Sequence, residues 1–200
     1  MHSIILAGPP GTGKTTLATG LGAFLQRPVC HADDHRHAHF QRYGWSHTRD
    51  RKYSPSAAFQ YQRPYEALLL AELTHQPEGT IIDLGAGDIV QPHQKLQDLL
   101  RHTLTRIPHR FLLLPNTENL PRCRATIQTR VRDRIMDDPG IACRLARGGQ
   151  EVIDHITEHC FAAQKWFTVL DSSTSRGREG TLKEALAHLP CCISARPPSP

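Results

Sequence analysis

A glycine-rich sequence, GPPGTGKT, directly follows the apolar run Ile4–Ala7 and leads into a segment with helical periodicity. It matches the pattern G-x-x-x-x-G-K-[ST] at every fixed position. In this pattern the glycines let backbone N–H groups surround phosphate oxygens, and the following helix adds the positive end of its dipole. The flanking strand and helix argue against a chance glycine-rich turn. We therefore expect an α/β fold that binds a nucleoside triphosphate at this loop.

Two side chains of the loop have predicted chemical roles. Lys14 can reach the β and γ phosphates, and the Thr15 hydroxyl can coordinate Mg²⁺. We expect ATP and Mg²⁺ as nucleotide and metal, with the base contact near residues 171–178; adenine and guanine are not distinguished. The predicted nucleotide contacts are Gly8, Pro9, Pro10, Gly11, Thr12, Gly13, Lys14, Thr15 and Thr16.

The composition favours a soluble protein with one domain, predicted at residues 1–189. A net charge of +5 over 200 residues suits substrates that carry phosphate or carboxylate, and also nucleic acid. The sequence shows no leader pattern, and no apolar run approaches the roughly 20 residues that a membrane span needs. We therefore expect a cytoplasmic location and no membrane partner. The six cysteines lack metal-ligand spacing and are expected to be free thiols. Oligomeric state stays open.

Strand and helix patterns alternate along the chain, which predicts a parallel sheet covered on both faces. Residues 33–54 are expected to hold a short helix and a mobile loop, residues 138–140 an Asp-Pro-Gly break, and the proline-rich tail at 190–200 to be disordered. Thr181 and Glu184 suggest a capping box at the start of the last helix. Strands are predicted at Ile4–Ala7, 28–31, 80–84, 110–114 and 166–170, and the main helices at Lys14–Leu25, 56–73, 92–104, 119–135, 149–163 and 181–189.

Two acids follow the second predicted strand, and parallel sheets bind ligands at this edge. Asp33 or Asp34 can orient a hydroxyl acceptor and take its proton. Asp is also favoured at a helix N-cap, so we assign the base role to Asp33 and leave capping to Asp34. The histidines around them, at positions 31, 35, 37 and 39, allow a transition-metal site, but a polar, partly exposed cluster is the simpler interpretation.

These features together resemble shikimate kinase. The resemblance rests on the phosphate loop, the acid Asp33, the Arg63-Pro64-Tyr65-Glu66 sequence on a helix, and the turn Gly85-Ala86-Gly87. It implies a three-layer P-loop kinase fold with five parallel strands in the order 2-3-1-4-5 and a helical lid. It also implies that an Asp and an Arg hold the hydroxyl and carboxylate groups of the acceptor. By position these roles fall to Asp33, Arg63, Gly85, Ala86 and Gly87. Asp34 and Arg36, which lie beside Asp33 in the sequence, complete the predicted substrate contacts.

The sequence departs from that family on the acceptor side. His31 replaces the first acid of an Asp-x-Asp pattern, and Asp88 follows the glycine turn where a carboxylate substrate would bind. We therefore expect a related kinase that phosphorylates a hydroxyl of another small polar molecule. Asp83, at the end of the third strand, is expected to share Mg²⁺ with Thr15, although Asp also forms turns at such positions.

Seven arginines fall between Arg122 and Arg147 and form either a solvated helical face or a lid over the triphosphate. We assign Arg124 a catalytic role at the transition state; the other candidates of the helix are Arg122, Arg130, Arg132 and Arg134.

Two alternative functions stay open. Asp33-Asp34-His35-Arg36 also resembles the Asp-Asp-x-Arg of polynucleotide 5′-kinases, which would make a nucleic-acid 5′ end the acceptor. Aromatic residues make up only 6% of the chain, which leaves few surfaces for base stacking and argues against a nucleic-acid partner. The other alternative is a nucleotide-binding switch protein without turnover.

Overall fold

Five parallel strands form one sheet in the order β2-β3-β1-β4-β5, as predicted. The computed structural model describes residues 2–85, 87–91, 93–135, 149–173 and 177–189, without the side chains of residues 134 and 135. The strands are β1 (Ile4–Ala7), β2 (Val29–His31), β3 (Ile81–Asp83), β4 (His109–Leu114) and β5 (Thr168–Asp171).

Helices lie on both faces of this sheet, so the fold has the three layers that were predicted. Helices α1 and α8 pack on one face, and α4 to α7 pack on the other. The helices are α1 (Lys14–Leu25), α2 (Ala32–Arg42), α3 (His47–Asp50), α4 (Pro55–Leu73), α5 (Gln94–Thr105), α6 (Leu120–Ile135), α7 (Gln150–Ala162) and α8 (Gly177–Ala187), with a 3₁₀ turn at Ala163–Trp166.

Alternation along the strands divides the core in two, because successive strand residues point to opposite faces. Ile4 and Leu6 pack with α1 and α8, whereas Ile5 and Ala7 pack toward α4 to α7. All four are fully buried, which explains why β1 is an uninterrupted apolar run rather than an alternating one. Each buried Ile or Leu contributes roughly 1.5–3 kcal/mol relative to exposure.

Two predicted boundaries near the C-terminal end are wrong. Trp166 does not begin β5, since it ends the 3₁₀ turn and its carbonyl accepts from Arg110 at 3.0 Å. Thr181 is not an N-cap, because α8 begins at Gly177 and the Thr181 hydroxyl donates back to the Gly177 carbonyl at 3.2 Å. The apolar pattern located both elements but did not fix their first residues.

The polar stretch after β2 contains two helices, α2 and α3, where one short helix was predicted. Helix α2 begins at Ala32, directly after the strand, and buries Phe40 and His39 against neighbouring elements. Ser54 caps α4 by accepting the amide of Ala57 at 3.3 Å, and Pro55 occupies the first turn. Asp33 and Asp34 thus lie in the first turn of α2, where the helix dipole stabilises negative charge.

Several predictions concern residues outside the described ranges: Ala86, the break at 138–140, the part of the lid beyond α6 and the tail at 190–200. The assignment of residues 1–189 to one domain stays a prediction. Within the described ranges, no helix is both long enough and apolar enough to cross a membrane.

Candidate active site

The loop between β1 and α1 is a tight turn that ends at a helix N-terminus. Gly11 and Gly13 have φ angles of 76° and 86°, a left-handed conformation that other residues rarely adopt. The Thr12 hydroxyl donates to the Pro9 carbonyl at 3.0 Å and ties the turn together. Gly13 is the N-cap of α1 and provides no side-chain cap, so the first amides of the helix remain suited to an anion.

Lys14 lies in this loop with its side chain buried. Its Nζ donates to the Pro9 carbonyl at 2.9 Å, and none of the described carboxylates forms an ion pair with it. Burial lowers the pKa of Lys14, and the charges of Asp83 and Asp33 partly oppose that effect. A buried ammonium without a paired carboxylate fits a site that an anionic ligand completes.

One cleft brings together several residues predicted from separate parts of the chain. This P-loop cleft is lined by the phosphate loop, by Asp33 at the start of α2, and by Asp83 and Gly85 at the end of β3. Topology explains the meeting, because the carboxyl ends of β1, β2 and β3 lie side by side. Lys14, Thr15 and Thr16 line the same cleft.

Asp83 has the features of a magnesium ligand. His31 Nδ1 donates to Asp83 Oδ2 at 2.9 Å, whereas Asp83 Oδ1 is buried and has no hydrogen-bond partner among the described residues. A buried carboxylate oxygen without a donor fits a cation, and the Thr15 hydroxyl lines the same cleft. His31, which stands at the first acid of the Asp-x-Asp pattern in the shikimate kinase resemblance, thus contacts Asp83.

The histidines at positions 31–39 were the alternative candidates for a transition-metal site. His39 is buried and pairs with Glu72 at 2.8 Å on the far side of α2. Among the described residues, no group of three or more His, Cys, Asp or Glu side chains is arranged to hold a metal ion. Mg²⁺ differs from such metals because it keeps several waters and needs only one or two protein carboxylates.

Asp33 is the acid of α2 that faces the P-loop cleft. Its side chain is 77% exposed, and Oδ1 accepts two bonds from Arg36, at 3.1 Å from Nε and 3.0 Å from the terminal nitrogen. Within the described residues its second oxygen, Oδ2, accepts no hydrogen bond. Asp34 is exposed in the same turn and does not line the cleft.

Arg36 does not line the cleft, because its guanidinium is occupied by three carboxylates. Besides Asp33, it donates to Glu66 Oε1 at 2.6 Å and to Asp88 Oδ1 at 3.0 Å. The expectation that Asp88 faces an acceptor is wrong: Asp88 is 1% exposed and accepts the Gly85 amide at 2.6 Å.

Arg63 is one of the most deeply buried side chains of the described structure. It pairs with Glu66, donates to the carbonyls of Phe59 at 2.9 Å and Val90 at 3.2 Å, and bonds the carbonyl of Gly87. Gly87 therefore contacts Arg63 rather than the cleft. Burial raises the pKa of Glu66 to about 7, although both arginines oppose that shift. We call Asp33, Arg36, Arg63, Glu66 and Asp88 the Arg36 cluster.

Arginines of α6 differ in their distance from the loop. Arg124, predicted to be catalytic, pairs with Glu158 of α7. It lines neither the P-loop cleft nor the cleft between α1 and α8 that is described below. Arg130 donates to the carbonyls of Gly11 at 3.3 Å and Ser172 at 2.6 Å, which joins α6 to the phosphate loop. The side chain of Arg134 lies outside the described residues.

A second cleft, between α1 and α8, adjoins the first and has a volume of about 560 Å³. This α1–α8 cleft is lined by the phosphate loop, by Gly20 and Leu17 of α1, and by Ser172 and Ser173 after β5. Its position agrees with the base contact predicted near residues 171–178. Arg178 of α8 lines both clefts and has no ion pair with a described residue. Sequence reasoning missed it, although it lies at the end of the segment marked for base recognition.

Comparison with solved structures gives the class of fold. Shikimate kinase from Acinetobacter baumannii in complex with shikimate aligns with a TM-score of 0.53 and 17% identity, over 94% of this chain and 91% of that one. A gluconokinase from Sinorhizobium meliloti 1021 aligns with a TM-score of 0.54 and 15% identity over the same shares. The fold is that of a shikimate kinase-like P-loop kinase. No family model matches the chain, and no curated protein matches it in sequence.

Proposed function

We propose that the protein transfers the γ-phosphoryl group of ATP to a hydroxyl of a small polar molecule. The observation that supports this most is the meeting of Lys14, Asp83 and Asp33 in one cleft, beside a second cleft of a size for a nucleoside. The two aligned structures are named as a shikimate kinase and a gluconokinase, and both names indicate a small acceptor.

Each residue has a role that its surroundings permit. Lys14 and the loop amides hold the phosphates and stabilise the charge that develops on them. Thr15 and Asp83 would hold Mg²⁺, which when bound neutralises phosphate charge. Asp33 orients the acceptor hydroxyl and takes its proton through Oδ2, as the acceptor oxygen bonds to phosphorus and the bond to the ADP oxygen breaks.

A binding switch and a 5′-kinase remain the competing functions. Arg36, the cationic residue of the Asp-Asp-x-Arg pattern, is paired with three carboxylates, which already balance the charge that a nucleic-acid phosphate would require. A switch protein would bind ATP without acceptor-dependent turnover.

ADP release distinguishes these functions. Full-length protein with ATP and Mg²⁺ is incubated with a panel of polyols, sugars, sugar acids, amino alcohols and an oligonucleotide with a free 5′-hydroxyl. Acceptor-dependent ADP release that falls about 10²-fold or more in Lys14→Ala supports the kinase. Lys95→Ala, on the exposed face of α5, is the matched control. ATP binding without any turnover, or undiminished turnover in Lys14→Ala, contradicts the proposal.

A further inference from the structure

The two arginines expected to bind the acceptor, Arg36 and Arg63, are already paired with carboxylates of the protein. Arg36 contacts Asp33, Glu66 and Asp88, and only 22% of its side chain is exposed. A negatively charged acceptor would have to displace at least one of these carboxylates to reach it. Asp88 is held in turn by the Gly85 amide, so displacing it would also break that bond.

Arg63 is even less accessible to an acceptor. Its side chain is 1% exposed, and Glu66 and three backbone carbonyls take up its donors. The guanidinium also stacks over the Phe59 ring, with 3.7 Å to the ring centroid. These contacts hold α4 against the turn after β3, and Arg63 is not among the residues that line the P-loop cleft.

Among the described residues, the charge beside Asp33 is therefore that of the Arg36 cluster. Two guanidinium groups in the Arg36 cluster meet three carboxylates, so the cluster has a net charge of −1, or zero when Glu66 holds a proton. Asp33 is its exposed member, and Asp34 adds a further negative charge beside it. The described cations that line the P-loop cleft are Lys14, in the phosphate loop, and Arg178, at its junction with the α1–α8 cleft.

We propose that the acceptor of this kinase bears no negative charge: it is a neutral or cationic hydroxylated molecule rather than a carboxylate or a phosphate ester. This inference rests on the proposed function. Like charges brought together across an interface are strongly unfavourable. A carboxylate beside Asp33 would meet that repulsion while Arg36 is already paired with carboxylates, and the two described cations of the cleft, Lys14 and Arg178, are assigned here to the phosphates of ATP. Shikimate and gluconate, the acceptors named by the aligned structures, both carry a carboxylate.

The test compares acceptors in pairs of similar shape that differ chiefly in charge. Gluconate is compared with sorbitol, shikimate with its primary amide, and glucose with glucosamine, with full-length protein, ATP and Mg²⁺. We expect kcat/KM for the uncharged member to exceed that for its carboxylate by tenfold or more. The glucose pair separates neutral from cationic acceptors. A carboxylate, or a 5′-hydroxyl oligonucleotide, that outperforms the uncharged acceptors overturns the inference.

Variants test whether the Arg36 cluster causes this preference, which is measured as the ratio of kcat/KM for the uncharged acceptor to kcat/KM for its carboxylate. Asp88→Asn removes one of the charges that neutralise Arg36, so the preference for the uncharged member should fall at least about threefold. Both acceptors are assayed with one preparation, so partial unfolding does not change the ratio. Asp98→Asn, at an exposed position of α5, is the control and should leave the ratio unchanged. An unchanged ratio in Asp88→Asn contradicts the role given to the cluster.

Calorimetry decides the case in which no pair is phosphorylated. Protein loaded with a non-hydrolysable ATP analogue and Mg²⁺ is titrated with gluconate and with shikimate. Binding of gluconate or shikimate that is lost in Arg36→Gln or Arg63→Gln overturns the inference. Absence of binding of both acids up to about 10 mM, a concentration that detects weak millimolar sites, supports it. Failure of the analogue itself to bind would instead contradict the proposed kinase function.

Discussion

Glu66 offers a direct measurement of whether burial or ion pairing dominates in the Arg36 cluster. Its side chain is 3% exposed and contacts both Arg36 and Arg63. Pairing with two cations should lower the pKa of a carboxylate, yet burial outweighs pairing and raises the pKa of Glu66 to about 7. Replacement by Gln imitates the protonated acid in shape and charge, which makes Glu66→Gln the informative variant.

The sign and size of the change in unfolding free energy with pH follow from the linkage between proton binding and folding. The folded protein keeps the Glu66 proton up to about pH 7, whereas the unfolded chain releases it near its ordinary value of 4.5. The contribution of Glu66 to the unfolding free energy is therefore fully present below pH 4.5 and is lost as the pH rises through 7. Between pH 5 and pH 8 the wild type should lose about 2.5 kcal/mol of unfolding free energy relative to Glu66→Gln.

Urea unfolding at pH 5, 6, 7 and 8, followed by far-ultraviolet circular dichroism, measures this difference for both proteins. Glu158→Gln is the control, because Glu158 forms an exposed ion pair with Arg124 that should contribute at most about 1 kcal/mol. If the unfolding free energies of wild type and Glu66→Gln differ by the same amount at every pH, the reasoning is refuted. If wild type becomes the more stable of the two as the pH rises, pairing with the arginines dominates over burial.

Three further predictions concern the clefts. Asp33→Asn should lower kcat by about 10²-fold or more with little change in the KM for ATP, since proton acceptance is lost; a change in KM alone would contradict the base role. Asp83→Asn should raise the Mg²⁺ concentration needed for half-maximal binding of a fluorescent ATP analogue, and an unchanged Mg²⁺ requirement would remove Asp83 from the metal site. Arg178→Ala should weaken ATP binding about tenfold because a cation at the junction of the clefts is lost. Arg106→Ala, exposed at the opposite edge of the sheet, is the control, and equal binding by both variants would rule Arg178 out.

The strands and the phosphate loop could be predicted because their signals are local, whereas the strand order 2-3-1-4-5 came from the resemblance to shikimate kinase. Buried parallel strands are continuous apolar runs, and the glycine pattern after β1 is explicit in the residues themselves. From these, Asp33 and Asp83 could be expected beside Lys14, since neighbouring parallel strands end at one edge of the sheet. The ends of elements were less predictable. Thr181 has the composition of a cap but lies inside α8, because the preceding segment continues the helix toward Gly177.

The partners of the arginines could not be predicted from the sequence. Arg36 and Asp88 are separated by 52 positions, and their contact depends on how the turn after β3 folds against α2 and α4. An arginine in a sequence shows a charge but not whether a carboxylate of the same chain will neutralise it. Arg63 thus has the position of a substrate-binding residue in the shikimate kinase resemblance and the contacts of a structural one.

The sequence by itself determined the sheet, the phosphate loop and the set of acids at its mouth, because each depends on residues close together in the chain or on strand order. Only the tertiary structure decided which charges remain free. Electrostatic neutralisation depends on distances of about 3–4 Å between groups far apart in sequence, so it appears only when the helices and the turn after β3 pack together. That packing leaves Asp33 as the exposed acid of the Arg36 cluster, buries Arg63 and pairs Arg36 with three carboxylates.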